Sequence, residues 1–286
     1  MTHKDLACNE MLDTIIHVLN SVHGLGISPF DETFVWKAVE KRCLELGLET
    51  DEVYGKYLAG CRAEAEVLFG SLHIGYTQFF RNPFAFDLLG QVLLPRQVSD
   101  RAKAGHSEFR VWSACCAAGQ EAWSIAILLD EVTGAESCPL GYRIFATDLS
   151  EPDLTLARAG VYSADAVDNL RLRQLRRYFV RHDDSYAICQ RLRDRVSFAT
   201  YDLLDTSSGC PSGSIYGDFD LVFCCNLLFY YRPDIRRRIL DKLCRALSPG
   251  GYFVTGEAER EIVLKCGSFD EVGFMTGVFQ KGRNHI

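Results

Sequence analysis

The stretch Arg110-Val-Trp-Ser-Ala-Cys-Cys-Ala-Ala-Gly-Gln-Glu-Ala-Trp-Ser-Ile-Ala-Ile-Leu-Leu129 constrains the fold of this chain more than any other. Val111 to Ala114 predicts a short apolar strand, Ala114 to Gly119 a loop of small residues, and the apolar run after it a helix. Small side chains let the backbone approach a ligand closely, and a helix N-terminus presents unpaired N–H groups. Further on, Tyr142-Arg-Ile-Phe-Ala-Thr-Asp148 predicts a second strand ending in an acid. Strand, small-residue turn, helix and acid-terminated strand form a nucleotide-type half-site, in which the acid accepts hydrogen bonds from ribose hydroxyls. Ala and Cys replace most glycines of a G-x-G-x-x-G turn. A pyrophosphate needs barer backbone, so the expected ligand is an adenosyl group without phosphates, S-adenosylmethionine. The alternative is a turn with no cofactor, which many α/β domains carry.

With 286 residues, 48% of them hydrophobic, the chain can bury a full core in one large or two modest domains. A formal net charge of −7 disfavours nucleic acid as a partner, because phosphate binding needs a basic surface. Met1-Thr-His-Lys-Asp5 has no apolar signal core. No apolar run reaches the roughly 20 residues of a membrane span, so a cytoplasmic protein with no membrane insertion is expected. Twelve cysteines include the adjacent pairs Cys115-Cys116 and Cys224-Cys225, at the ends of predicted strands. They lack zinc-type spacing, so no metal is expected. They read as small buried hydrophobes in a reducing compartment, or as oxidation-sensitive groups where the pocket reaches them.

Residues 11–70 read as helical, with breaks at Gly24 to Pro29 and Gly47 to Asp51 and one helix from Glu52 to Phe69. The first 70 residues carry twelve acids against six bases, most simply a solvated face. A connector with Thr77-Gln-Phe-Phe-Arg81 leads to a helix from Phe84 to Leu94. Strands are then predicted at 109–114, 142–147, 195–201, 219–225, 250–257 and 273–280, with a helix from Asp234 to Leu247 stopped by Ser248-Pro-Gly-Gly251. Strands alternating with helices signal a mostly parallel sheet. The rhythm pauses between Tyr162 and Phe198, where eight arginines from Arg171 to Arg195 mark an inserted subdomain.

Five side chains stand out against plainer readings. Glu121 holds the ligand or complements the helix dipole. Asp148 binds ribose or neighbours the N-cap Ser150. Asn226 and Tyr230 follow the buried strand Phe219 to Cys225, where functional groups of open α/β sheets gather, or they only turn and pack. Arg81 grips a carboxylate in bidentate fashion or forms an interdomain salt bridge.

Together these blocks resemble the chemotaxis receptor methyltransferase (CheR) family along nearly the whole chain. The matching motifs are Thr77 to Arg81, Trp112 to Ala126, Ala146 to Asp148, Ala157 to Tyr162, Arg177 to Phe179, Phe219 to Tyr230 and Ser248 to Tyr252. The resemblance implies an α/β fold: a Rossmann-like class I methyltransferase domain with a small antiparallel β insert, preceded by an N-terminal all-helical domain. It places the helical domain at 1–75, a connector at 76–105, and the methyltransferase domain at 106–286 with its insert at about 163–198. It implies methyl transfer from S-adenosyl-L-methionine to glutamate side chains of chemoreceptors, leaving S-adenosyl-L-homocysteine. By resemblance the cofactor contacts are Thr77, Arg81, Ala114, Glu121, Asp148, Asp202, Leu203, Cys225 and Asn226, and Arg81 and Tyr230 are the active-site pair. The partner is a chemoreceptor or other acidic protein, met first by the arginine-rich insert, and the enzyme works as a monomer. The chain departs from the family at Gly75 and Asp202, each usually Asn, at Cys225, usually Arg, and at Gln120, Ala122 and Trp123 in the helix entry. These departures motivate the alternative of a diverged cofactor-binding protein with another acceptor, or a non-catalytic sensor or scaffold.

Overall fold

The structure, a computed structural model, describes residues 11–48, 51–73, 75–135, 140–214 and 217–282. Met1 to Asp5, the acids Glu10 and Glu49, and Cys8 and Cys138 lie outside the described residues. The chain divides into two units, Met1–Ile74 with Phe229–Arg236, and Gly75–Leu228 with Arg237–Ile286.

The first unit is helical: α1 over residues 11–17 closing in a π turn at Val18–Val22, α2 Glu32–Leu46, α3 Asp51–Gly60 and α4 Arg62–Ser71. The Asp31 side chain accepts the Thr33 and Phe34 N–H groups to start α2, and Gly47 in the left-handed region ends it. Ile15, Leu19, Val39, Tyr54, Leu58 and Leu68 form the core. Glu64 is buried there, held by two hydrogen bonds from Arg42 and one from the Tyr54 hydroxyl. Arg42 holds the Glu64 carboxyl below the usual carboxylate range. The single helix expected over Glu52 to Phe69 is two helices. Cys61 is extended, with φ −127° and ψ 95°, directly after Gly60, a weak helix former.

The second unit carries a seven-stranded sheet in the order β6-β2-β1-β7-β8-β10-β9. The strands are β1 Glu108–Ser113, β2 Gly141–Asp148, β6 Val196–Thr200, β7 Phe219–Phe223, β8 Leu247–Val254, β9 Phe269–Glu271 and β10 Val278–Lys281. The β6, β2, β1, β7 and β8 neighbours pair in parallel, while β10 runs antiparallel to both β8 and β9. The apolar run at 273–280 is therefore not one strand but the turn and second arm of a hairpin. Gly273 and Gly277, at φ +87° and +70°, make that turn. Every residue of β7 is buried, as a central strand covered on both faces requires. Helix α7, Gln120–Ala135, is buried continuously from Ala122 to Leu129, which explains a run too apolar for an amphipathic helix.

The helix expected from Phe84 to Leu94 extends further: α5 Pro83–Leu88, a π turn Leu89–Leu93, then α6 Leu94–Lys103. Gly90 faces α7 so closely that a Cβ there would lie 2.7 Å from Leu128 Cδ1. Helix α8, Glu151–Ala159, follows β2, and the insert then folds as a three-stranded antiparallel sheet, β3 Val161–Ser163, β5 Ser185–Ile188 and β4 Phe179–His182, ordered β3-β5-β4. Its helices are α9 Leu172–Tyr178 and α10 Gln190–Arg193. The arginines of the insert are largely committed. Arg171 pairs with Asp87, Arg173 with Glu131, and Arg177 and Arg191 with Asp130. Arg193 donates to the carbonyls of Ile188, Arg158 and Ala159 and so ties the insert to the end of α8. Arg171 and Arg173 remain largely exposed in these pairs, whereas Arg193 is spent on backbone carbonyls. Arg193 and the Asp130 cluster fasten the insert to its own unit.

Candidate functional site

The chain runs from β1 through β2 to β6 on one side of the sheet and returns as β7 on the other, so β1 and β7 flank the switch in strand order. Ligands of open α/β sheets bind outside the carboxyl ends of the strands at such a point. Here the carboxyl ends carry Ala114 to Gly119 after β1, Asp148 after β2, Cys224 to Asn226 after β7, and Thr255 and Gly256 after β8.

The loop after β1 is clamped on both sides. Ala114 donates its N–H to Phe223 O at 2.8 Å, Cys116 to Thr147 O at 2.9 Å, and Ala117 to Asp148 Oδ2 at 2.8 Å. Ala117 takes φ +45° and Gly119 φ +91°. A Cβ on Gly119 would lie 2.8 Å from Ala157 Cβ, so only glycine lets α8 pack this close. The small residues of the loop are thus required partly by packing.

Glu121, at the start of α7, reaches back over the loop and accepts the Ser113 hydroxyl at 2.6 Å. Burial pushes its carboxyl up to about 7; the hydrogen bonds from Ser113 and Cys225 and the charge of Arg81 act against that, while Glu259 adds to it. Its role exceeds that of a first-turn acid facing solvent. Asp148 is also pushed up, chiefly by burial, against the pull of backbone donors. Its other oxygen accepts the Ser150 N–H at 2.9 Å, and Ser150 caps α8. The loop clamp and the capping-neighbour role therefore coexist on Asp148.

Arg81 is exposed. It donates through Nη1 to Tyr76 O at 2.9 Å, and its guanidinium sits 5.3 Å from the Tyr76 ring centroid. Most of its planar fork remains open, and its charge is felt at Glu121. The connector behind it is fixed by the Phe80 N–H bonded to Ser124 Oγ of α7 and by buried Phe79 against Tyr162 and Phe179. Thr77 is half-buried on that connector. Asp202 is exposed and accepts the Leu204 N–H at 2.8 Å, and Leu203 beside it is buried. Tyr230 lies in the helical unit, its ring centroid 4.5 Å from that of Phe34. A Cβ on Gly75 would fall 2.9 Å from Asp153 Oδ2, which gives the departure there a local packing context.

The thiols beside the loop, Cys115, Cys116, Cys224 and Cys225, are all pushed up. The ten cysteines among the described residues are free thiols. Cys115 Sγ lies 3.9 Å from Cys224 Sγ. Their mutual hydrogen bond and burial hold the Cys224 thiol well above its ordinary range, and burial beside Glu121 and Glu259 does the same for Cys225. Thiols held neutral are poor nucleophiles.

Glu259 escapes a reading by motif. It is fully buried and accepts the N–H groups of Asn226, Leu228 and Gly256 and the Thr255 hydroxyl. Its only trace in the sequence is an acid shortly beyond a central strand.

The carboxyl ends of the strands thus combine a small-residue loop, the carboxylates of Glu121 and Asp148 and one nearby arginine, with Glu259 buried beneath. Carboxylates beside this loop disfavour an anion there and suit a ligand that carries positive charge, while the arginine suits a carboxylate. A family model described as the CheR methyltransferase SAM-binding domain matches residues 75–272. The chain belongs to the CheR methyltransferase family. It is 34% identical over 198 residues to chemotaxis protein methyltransferase 1 of Pseudomonas aeruginosa, covering 68% of this chain and 69% of that protein. To the chemotaxis protein methyltransferase of Escherichia coli it is 31% identical over 245 residues, covering 82% and 79% respectively. This CheR-family chain is therefore an S-adenosylmethionine-dependent methyltransferase on a class I fold. The Glu121 and Asp148 carboxylates and the Arg81 guanidinium fit that cofactor, which carries a sulfonium, an ammonium and a carboxylate. Among the described residues no helix is long and apolar enough to cross a membrane.

Proposed function

We propose that this enzyme methylates glutamate side chains of chemoreceptors, as a monomer. Its relatives are named chemotaxis protein methyltransferases. In this reading residues 1–75 form the helical domain, residues 76–105 connect, residues 106–286 form the methyltransferase domain, and the arginine-rich insert at about 163–198 meets the acidic acceptor first. Asp148 accepts from the ribose hydroxyls, Arg81 holds the methionine carboxylate, and Thr77, Ala114, Glu121, Asp202, Leu203, Cys225 and Asn226 complete the contacts. Tyr230 lines the reacting carboxylate.

Bound S-adenosylmethionine supplies an electrophilic methyl on a sulfonium, whose transfer to a carboxylate oxygen leaves a methyl ester and S-adenosylhomocysteine. An acceptor glutamate with an ordinary pKa of about 4.3 is already ionised at neutral pH, so it needs no base to become a nucleophile. What the protein adds is alignment of the two ends and partial removal of water from the acceptor.

The observation that carries this reading is the Glu121–Asp148 pair beside a clamped small-residue loop, a site built for a cationic nucleoside. The test is methyl transfer from labelled cofactor to the purified cytoplasmic fragment of a chemoreceptor from the same organism. Label on glutamate side chains supports the reading; cofactor binding with no transfer to any receptor fragment selects the scaffold instead.

A further inference from the structure

Asn226 sits at φ +59°, a left-handed conformation that a non-glycine residue adopts only at a cost. What holds it there is Glu259. Oε2 of Glu259 accepts the Asn226 N–H at 2.7 Å, the Gly256 N–H at 3.1 Å and the Thr255 hydroxyl at 2.8 Å, while Oε1 accepts the Leu228 N–H at 2.5 Å. Thr255 Oγ1 also lies 3.0 Å from Cys224 O. One carboxylate thereby joins the segment after β7 to the segment after β8.

Glu259 is wholly buried and has no arginine or lysine partner among the described ion pairs. A buried carboxylate is costly unless several donors satisfy it. Burial pushes this carboxyl up, and the Thr255 hydroxyl and the N–H groups of Asn226, Gly256 and Leu228 that converge on it act against that. The Asn226 amide lies against Gly256: a Cβ at position 256 would lie 2.8 Å from Asn226 Nδ2 and 3.1 Å from Glu259 Oε2, so glycine leaves it room.

We propose that Glu259 is the positioning residue of the cofactor pocket: it locks Asn226 in the left-handed backbone conformation that presents its side-chain amide to the cofactor. This rests on Asn226 being a cofactor contact. Glu259 itself does not touch the cofactor; it acts through the shape of the loop. Its charge also lies near Glu121 and Cys225, which offers a competing role as a counter-charge for the sulfonium.

A double-mutant cycle separates these roles. Glycine adopts φ +59° without strain, so Asn226→Gly removes the need for a lock. Affinities for S-adenosylmethionine and S-adenosylhomocysteine are measured by calorimetry for the wild type, Glu259→Gln, Asn226→Gly and the double variant. Glu259→Gln is expected to weaken both ligands alike by about threefold, because asparagine enters the left-handed region at less cost than other non-glycine residues, and to cost far less in the Asn226→Gly background. Equal losses in the two backgrounds, or a loss for S-adenosylmethionine with S-adenosylhomocysteine unchanged, would overturn the proposal. If Glu259→Gln does not fold, Thr255→Val removes one of the four donors and carries the same cycle. A loss of up to about threefold confined to the Asn226 background supports the lock, and equal losses contradict it. A wild type that binds neither ligand would instead refute the reading of the pocket itself.

Discussion

The Asp148 carboxylate accepts the Ala117 N–H at 2.8 Å, and Ala117 is held at φ +45°. The acid expected to read the ribose is thus also the clamp on the loop that forms the pocket floor. Binding and loop geometry are coupled through one side chain.

Asp148→Ala should therefore do two things. It loses the ribose acceptor, weakening cofactor binding, and it leaves the Ala117 and Ser150 N–H groups without their carboxylate, destabilising the free protein by about 1–3 kcal/mol. Calorimetry and urea denaturation without cofactor measure the two effects. Unchanged cofactor affinity would refute the assignment of Asp148.

Glu121 governs the pH response. Its folded value, about 7 against an ordinary 4.5, means the folded state keeps the proton longer than the unfolded chain. Stability therefore falls as pH rises through that window and levels off above it, by at most about 3 kcal/mol. Glu121→Gln should remove this group's share of the fall, leaving those of Asp148 and Glu259, so the variant gains on the wild type between pH 4.5 and 7 in denaturation curves. A cationic cofactor favours the carboxylate, so binding should release a proton and affinity should rise with pH up to about 7. The rate at saturating cofactor should not follow that group, because it titrates in the pocket and takes no proton from the acceptor. A cofactor affinity flat across this range would contradict the account.

Gly119→Ala should destabilise the protein by about 1–3 kcal/mol, from overpacking against α8 and a strained φ together. Denaturation measures it. An unaffected midpoint would show that the loop relaxes freely.

The insert should depend on Asp130, which takes the Tyr178 hydroxyl at 2.9 Å and pairs with Arg177 and Arg191. Asp130→Ala should expose the insert to limited proteolysis while leaving cofactor affinity unchanged. Arg193→Ala should behave similarly, since it strips three backbone carbonyls of their donor. Resistance equal to the wild type in both variants would show that other contacts suffice.

Buried elements were readable because burial writes itself into composition. Strand β7 and the stretch of α7 from Ala122 to Leu129 are buried throughout, so each is written almost wholly in apolar residues, with Asp220 and Ser124 the exceptions. The small-residue loop and Asp148 stood out because a strand, a turn and an acid follow at a spacing that topology explains. Contacts distant in sequence were not readable. Arg173 finds Glu131 42 positions away, and Asn226 finds Glu259 33 away, with no local pattern to announce either. The break at Cys61 and the hairpin at Gly273 and Gly277 were lost for another reason: helical and strand periodicity continue across them, and only backbone angles reveal the turns.

The central claim is that this pocket delivers a methyl group to a carboxylate. The most direct measurement is the chemistry of the bond formed: a chemoreceptor fragment is incubated with enzyme and methyl-labelled S-adenosylmethionine, then treated with mild alkali, which hydrolyses carboxyl methyl esters to methanol but leaves N-methyl groups intact. The account predicts label on the receptor fragment that alkali releases as volatile methanol, and that is lost with Asp148→Ala. Label that survives alkali, or none despite tight cofactor binding, would contradict it.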